Sequence, residues 1–449
     1  MPNYLSMQSA ELKSNRLNPE TVRRSVKAAA LGNCMEWFDF GVYSYLAATI
    51  GQVFFPSNST SVSLLSSFAA FAVAFLVRPL GGFVFGPLGD KVGRSKILAI
   101  TIITMSGGTL AVGLIPGYDQ IGVWAPILLV IARLVQGFSA GGEYGGAATF
   151  VVESAPDKRR GFLAAWLDFG TLAGYSIGAL IVTGLTAVLP AEAMSSWGWR
   201  IPFLLAGPLG LFGLYLRLRL EESAAFRTIE GEGEVTKAPL KEAIAGNWRY
   251  ILLCMGLVLI LNVAYYDVLS YMPSYLSEEL GIGNTEALLA IVGVMIGMMG
   301  LAPALGHLSD KIGRKPVLLA ACGGFIVLSL PAFWLLQAGN AIDLVAGLAV
   351  LGLLTVMLAG IMPSTLPAIF PTKNRYAGFA IAYNLSTSLF GGTAPFVIEW
   401  LVSFTHDKYM PAFYVMGAAT IAIVPIMMMK ESAARPLHGS VAQEVYSEA

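Results

Sequence analysis

Apolar stretches long enough to cross a bilayer recur twelve times along this chain. In the first half they lie near residues 26–52, 63–85, 95–116, 122–148, 161–188 and 199–220. In the second half they lie near 248–274, 285–306, 316–337, 341–364, 376–403 and 409–430. A helix needs about 20 mostly apolar residues to span the hydrocarbon, and a helix satisfies its own backbone polar groups there. The pattern predicts an all-α membrane protein with twelve transmembrane helices. Composition agrees: charged residues make up 12% of the chain and hydrophobic residues 56%, against about 25% charge in a soluble globule. A surface this apolar calls for a bilayer as its solvent.

Lysine and arginine set the direction. They gather in the N-tail and at Lys91/Arg94/Lys96, Lys158/Arg159/Arg160, Arg217 to Arg249, Lys311/Arg314/Lys315, Lys373/Arg375 and Lys430/Arg435. The alternate loops hold only Lys408. The positive-inside rule then places both termini in the cytoplasm. The expected units are an N-tail (1–25), a six-helix bundle (26–220), a cytoplasmic linker (221–247), a second six-helix bundle (248–430) and a C-tail (431–449). The basic N-tail has no short apolar region with a cleavage site, so no signal peptide is expected. The C-tail lacks a heptad pattern, so no coiled coil is expected.

One loop occurs twice. It reads GPLGDKVGR from Gly86 to Arg94 and GHLSDKIGR from Gly306 to Arg314, at matching places in the two halves. A charged loop kept twice between apolar spans marks a duplicated transporter. Gly86, Gly93, Gly306 and Gly313 suit tight turns. Asp90 and Asp310 precede a helix start, where a carboxylate meets the positive end of the dipole. Arg94 and Arg314 are expected to pair with acids on neighbouring elements and hold one face shut; a basic topological anchor is the plainer alternative.

Longer strings narrow the class. GNCMEWFDFGVYSY (Gly32–Tyr45), RPLGGFVFGPLGDKVGR (Arg78–Arg94), QGFSAGGEYGGA (Gln136–Ala147), WLDFG (Trp166–Gly170), WGWRIPF (Trp197–Phe203) and YMPSYL (Tyr271–Leu276) stand in the sequence. With the repeated loop and the 6+6 layout they resemble the major facilitator superfamily, and within it the metabolite:proton symporter family, nearest its proline/betaine osmoprotectant members. The resemblance covers Val22 to Leu437. It implies two pseudo-symmetric six-helix bundles around a midplane site, proton-coupled import, no cofactor beyond the proton gradient, and a bacterial inner (plasma) membrane. Some proline/betaine members carry a C-terminal coiled coil; this chain departs from them there.

Ionisable groups inside spans cost on the order of 2.5–3.5 kcal/mol each and are functional candidates by default. Glu36 and Asp39 lie three residues apart in the first span and are expected to share a helix face. With Glu143 and Asp168 they are the candidate proton carriers; structural ion pairing is the alternative for each. Arg133 keeps its charge, and either holds a substrate carboxylate or pairs permanently with an acid. Asp267, beside Tyr265 and Tyr266, suits a cationic head group, or else faces water near a helix break. Trp37, Tyr43, Trp166, Tyr265, Tyr266 and Tyr383 are candidate faces for a quaternary ammonium, against the commoner role of aromatics as interfacial belts. Four-residue glycine spacing at Gly137/Gly141/Gly145, Gly170/Gly174/Gly178 and Gly293/Gly297 predicts close helix contacts. Pro273, Pro363, Pro367 and Pro395 are expected to interrupt helices. Cys34, Cys254 and Cys322 read as apolar filler, and the scattered histidines at 307, 406 and 438 predict no metal site.

The expected function is symport of a zwitterion such as proline or glycine betaine with protons. The rivals are a carboxylate:proton symporter for 2-oxoglutarate, citrate or shikimate, drug efflux, and a non-transporting osmosensor. No nucleophile–base pair argues for an enzyme. The expected partners are the lipid bilayer, a small-molecule substrate and the proton, with no nucleic acid, since net charge is zero and the basic residues are dispersed. A monomer is the expected working unit.

Overall fold

The structure is a computed structural model and describes residues 19–92, 94–218, 240–371 and 375–437. Its helices fall into twelve consecutive spans. The first half holds α1 (Pro19–Tyr45 and Ala47–Phe54), α2 (Thr60–Leu76 and Arg78–Val92), α3 (Arg94–Leu114), α4 (Trp124–Ala140 and Glu143–Ser154), α5 (Arg160–Val188) and α6 (Arg200–Leu218). The second half holds α7 (Leu240–Tyr265, continued through Glu279), α8 (Asn284–Ile312), α9 (Arg314–Leu336), α10 (Ala341–Ala359 and Met362–Thr365), α11 (Arg375–Ser386 and Ala394–Thr405) and α12 (Met410–Met428). Among the described residues, nine helices are long and apolar enough to cross a membrane. Two shorter apolar helices, Ala99–Leu114 and Arg200–Tyr215, fill the third and sixth expected places. The expected N-tail falls largely outside the described residues, as does most of the expected linker, although α7 is already helical from Leu240.

Within the first half, α5 packs along α1, α4 on α2, and α6 on α3; in the second, α9 packs on α10 and α12, and α7 on α11 and α12. The halves meet where α5 lies against α8 and α2 against α11. Large apolar side chains stand exposed on α3, α6, α9 and α12, among them Leu114, Leu211, Val327 and Val424. An outward apolar band of this kind is a surface made for hydrocarbon. By contrast α7 is the most enclosed span.

Glycine sets the close approaches. A Cβ on Gly137 would sit 1.7 Å from the Ala74 carbonyl oxygen, and one on Gly141 2.1 Å from that of Arg78. Gly170 and Gly174 make the same fit against Ala30 and Cys34 of α1. The expected stripes on α4 and α5 are therefore real helix contacts. Gly293 and Gly297 are not: nothing lies within 4 Å of a Cβ at either. We expect Gly137→Leu to prevent folding of the first bundle, since its first added carbon already meets rigid backbone and overpacking alone costs about 1–3 kcal/mol. Loss of the monodisperse peak in fluorescence-detected size exclusion, with Gly293→Leu unaffected, checks this.

The prolines mark interruptions as expected. Pro273 sits in the three-residue helix Met272–Ser274 between π-helical turns Tyr266–Tyr271 and Tyr275–Glu279. Pro363, Pro367 and Pro395 each fall within the first two residues of a new helical segment, where the missing N–H costs nothing. One interruption went unforeseen. Pro79 has no N–H to give the carbonyl of Phe75, four residues back. The Ser388 hydroxyl of α11 donates to that carbonyl at 2.5 Å. Beside it, Asn384 of α11 donates to Gly141 O at 2.6 Å. Breaks in α2 and α4 thus supply backbone acceptors that tie the halves together.

Candidate functional site

The first span distributes its two acids to different neighbours. Arg78, opening the second segment of α2, donates from Nη2 to Glu36 Oε1 at 2.8 Å, and both side chains are almost wholly buried. Its guanidinium also lies over the rings of Phe40 and Phe75. Asp39 instead accepts from Thr109 Oγ1 of α3 at 2.8 Å. Thr109 in turn accepts from Gln136, whose carbonyl oxygen accepts from Arg133 Nη1 at 2.9 Å. Within the expected shared face, Glu36 bonds to α2 and Asp39 to α3.

This division also relocates Arg133. It stands 4.2 Å over the Tyr43 ring, with Phe40 and Phe71 beside it, inside the first bundle and linked through Gln136 and Thr109 to Asp39. The Tyr43 hydroxyl donates to Ser67 O, so this aromatic belongs to the same intrabundle packing. Arg78 reaches Tyr266 of α7 and Tyr383 of α11 electrostatically, and Arg133 also reaches Tyr266. Arg78 Nε and Nη1 and Arg133 Nε and Nη2 have no hydrogen-bond partner among the described residues.

Asp168 stands on α5. Tyr265 of α7 donates to its Oδ1 at 3.2 Å, while its Oδ2 has no partner among the described residues. Asp168 is within electrostatic reach of Tyr144, Tyr265 and Tyr383. Tyr383 feels both Arg78 and Asp168 and stacks on Tyr144 with centroids 4.3 Å apart. Trp37 stacks on Tyr175 and lies 6.1 Å from Tyr266. Its indole N–H is held by Asn33, which itself donates to Leu167 O. The result is a buried aromatic cluster with residues from both halves, with the Arg78 guanidinium and the Asp168 carboxylate among its neighbours. Buried donors and an acceptor without partners are costly to leave so.

Two expected members lie elsewhere. Trp166 packs with Phe162 and Phe169 and against the small cluster of Val26, Val151, Val152, Ala164 and Leu437, away from the aromatic cluster. Asp267 is one residue from Tyr266, yet the turn of the helix points it at Tyr271, Tyr275 and Tyr414 inside the second bundle. Glu143 opens the second segment of α4, but its side chain lies outside the described residues. The sequence reading missed Tyr144, Tyr175, Asn33 and the central place of Arg78. It also passed over Glu399, although a lone acid in FVIEWLV carries the same signal that singled out Asp168.

The repeated loop is described in its second copy. Gly86 lies within α2 and Gly93 outside the described residues, as do the side chains of Asp90 and Arg94. Gly313 turns with φ +97°. Gly306 is instead a contact point, its Cβ position 2.6 Å from Gly161 O of the other half. Asp310 does not serve its own next helix. It crosses the interface and accepts from Gly161 N at 2.8 Å and Phe162 N at 3.0 Å, capping α5. The start of α9 is capped by Glu431, which accepts from Arg314 N and Lys315 N. Burial raises the Glu431 carboxyl, but backbone N–H donors outweigh it and hold the group below the usual range. Arg314 donates to Ser364 O and Ser432 within its own half, and Arg375 pairs across the halves with Glu153 at 2.8 Å. Asp310→Ala is expected to cost about 0.5–2 kcal/mol of cap energy, spent in the state with this face shut. A cysteine at Ala164 should then label faster with a membrane-permeant thiol reagent; an unchanged rate would leave Asp310 without a gating role.

A helical fold of twelve consecutive spans in two halves, with an apolar outer band, is that of a membrane transporter. Comparison with known proteins agrees. The profile of the Major Facilitator Superfamily matches residues 29–395 and 268–444. The chain is 47% identical over 428 residues to the glycine betaine/proline/ectoine/pipecolic acid transporter OusA of Dickeya dadantii, covering 93% of this chain and 85% of that one. It is 48% identical over 429 residues to the proline/betaine transporter of Escherichia coli K12, with the same coverage, and 44% identical to a putative proline/betaine transporter of Staphylococcus aureus, covering 95% and 92%. Its fold superposes on the proton:xylose symporter XylE bound to a bromodeoxyglucose with a TM-score of 0.75 at 19% identity, covering 94% and 98%. The chain belongs to the major facilitator superfamily.

Proposed function

We propose that the protein is a proton-coupled symporter that imports small zwitterions, proline and glycine betaine among them, across a bacterial inner membrane. The names of its relatives support the cargo. The observation that supports the reading is that Arg78 and Asp168, both buried and each with unpartnered polar atoms among the described residues, share Tyr383 as an electrostatic neighbour. The cargo carboxylate takes the unpartnered N–H groups of Arg78. Its ammonium end lies toward Asp168 and the tyrosine faces, where each cation–π contact contributes about 0.5–2 kcal/mol. Coupling follows from competition. Glu36 already occupies one arm of Arg78; a proton on Glu36 weakens that ion pair and frees the guanidinium for the cargo. Release of the cargo lets Glu36 recapture Arg78 and give up its proton. Asp168 changes its protonation with the charge of the ligand beside it. Asp39 and Arg133 hold the first bundle in shape around this exchange.

The basic loops support a topology with both termini cytoplasmic and the halves joined by the linker. One chain completes the site, so a monomer suffices. Uptake of radiolabelled proline, betaine, 2-oxoglutarate and citrate into proteoliposomes, with and without an imposed pH gradient, tests the assignment. Accumulation of the zwitterions alone, and only under the gradient, is expected. Gradient-driven uptake of the di- or tri-acid in their place would overturn it in favour of a carboxylate symporter.

A further inference from the structure

The second bundle holds two buried acids that the cycle above does not use. Asp267 has no exposed surface, and neither carboxyl oxygen has a hydrogen-bond partner among the described residues. It lies in the π-helical turn Tyr266–Tyr271 of α7, a wide turn of a kind that recurs at functional sites. Within electrostatic reach stands Tyr271, which donates to Glu399 Oε2 of α11 at 3.1 Å. Ser403 donates to the other oxygen of Glu399 at 3.2 Å. Glu399 is also buried.

The surroundings supply little positive charge. From α7 the group is faced by Tyr271, Tyr275, Glu278 and Glu279, and from α12 by Tyr414. From the loop before α12 come Tyr409 and Lys408, and the Lys408 ammonium is turned to Glu279 O. An ionised carboxylate in a buried site costs several kcal/mol unless paired, and Glu278 and Glu279 add like charge near Glu399. Among the described residues, no group of three or more His, Cys, Asp or Glu is placed to hold a metal ion. A proton on a buried carboxyl group removes the cost of its charge.

We propose that buried Asp267, with Glu399 held nearby by Tyr271, forms a second proton-binding site, which acts on the irregular part of α7 at the face opposite the repeated loop. It rests on the proton-coupled reading above and extends it. The Tyr271 ring meets Phe68 of α2 at 5.9 Å across the halves, and the Tyr275 hydroxyl donates to Lys408 O at 2.8 Å. With a proton bound, the irregular part of α7 packs dry against α2, as in this structure. Once the acids are ionised, their need for water favours an α7 drawn away from α2, which opens that face. A proton arriving from that side past exposed Glu278 closes it again.

The test compares reconstituted wild type with Asp267→Asn and Glu399→Gln. Infrared difference spectra between acid and alkaline buffer report protonated carboxyl groups. The pH gradient that just balances a cargo gradient gives the proton-to-cargo ratio. We expect either substitution to remove a carboxylic-acid signal and lower the ratio, while uptake down a cargo gradient persists. If one variant fails to fold, the other decides. An unchanged ratio with the carboxyl signal intact overturns the site. A wild type with no gradient-driven uptake removes the coupling reading instead, and the infrared comparison still decides whether these acids bind a proton.

Discussion

The Arg78→Leu protein is expected to lose transport and most of its stability together, whereas the paired variant Glu36→Gln/Arg78→Leu regains stability without regaining transport. The physical reason is the fully buried ion pair between them. Removing one partner of such a pair leaves an uncompensated charge and costs about 3–5 kcal/mol, while neutralising both is often nearly free. If the Glu36–Arg78 pair served only as mortar, the paired variant would transport normally. If Arg78 grips the cargo carboxylate, the paired variant will insert, run as a monodisperse peak in detergent with a thermal midpoint near wild type, and neither bind the cargo nor carry it down its own gradient. Arg78→Lys separates charge from shape: an ammonium keeps the pair with Glu36 but lacks the planar fork suited to a carboxylate. Its KM should rise with insertion intact.

The second large effect is expected at Asp168. Asp168→Asn keeps an acceptor for the Tyr265 hydroxyl but cannot carry charge. A hydrogen bond or contact to a charged group contributes about 1.5–3 kcal/mol, which corresponds to roughly a ten- to hundredfold weaker apparent affinity for a zwitterion. Titration of proline or betaine uptake against external pH is the measurement. The variant should show a raised KM at every pH and a flattened response to the proton gradient. A KM within a factor of two of wild type would remove Asp168 from the site and leave its contact with Tyr265 as packing.

Much of the architecture was legible in one dimension. Apolar run length gave the number and depth of the spans, and the repeated loop gave the division into halves. Glycine stripes on α4 and α5 told where helices would touch. Depth along the membrane normal is also legible, which is why Glu36, Asp168 and Tyr383 were found. Direction around a helix axis was harder. Glu36 and Asp39 are three residues apart, yet α2 and α3 flank α1 and each claims one acid. Asp267 follows Tyr266 and therefore turns from the aromatic cluster into the second bundle. Gly293 and Gly297 have the right spacing, but the neighbouring helix runs elsewhere. Asp310 stands in the right loop and caps a helix of the other half.

What the sequence by itself determined was the solvent, the element type and the count: hydrocarbon demands long apolar helices, and helices close their own hydrogen bonds, so no distant residue is consulted. What only the tertiary structure decided was which charges meet. That depends on the azimuth at which each helix is packed and on local breaks, such as the one at Pro79 that brings Ser388 to the Phe75 carbonyl. Both are set by contacts between residues hundreds of positions apart, where small-residue fit and buried hydrogen bonds outweigh any local preference.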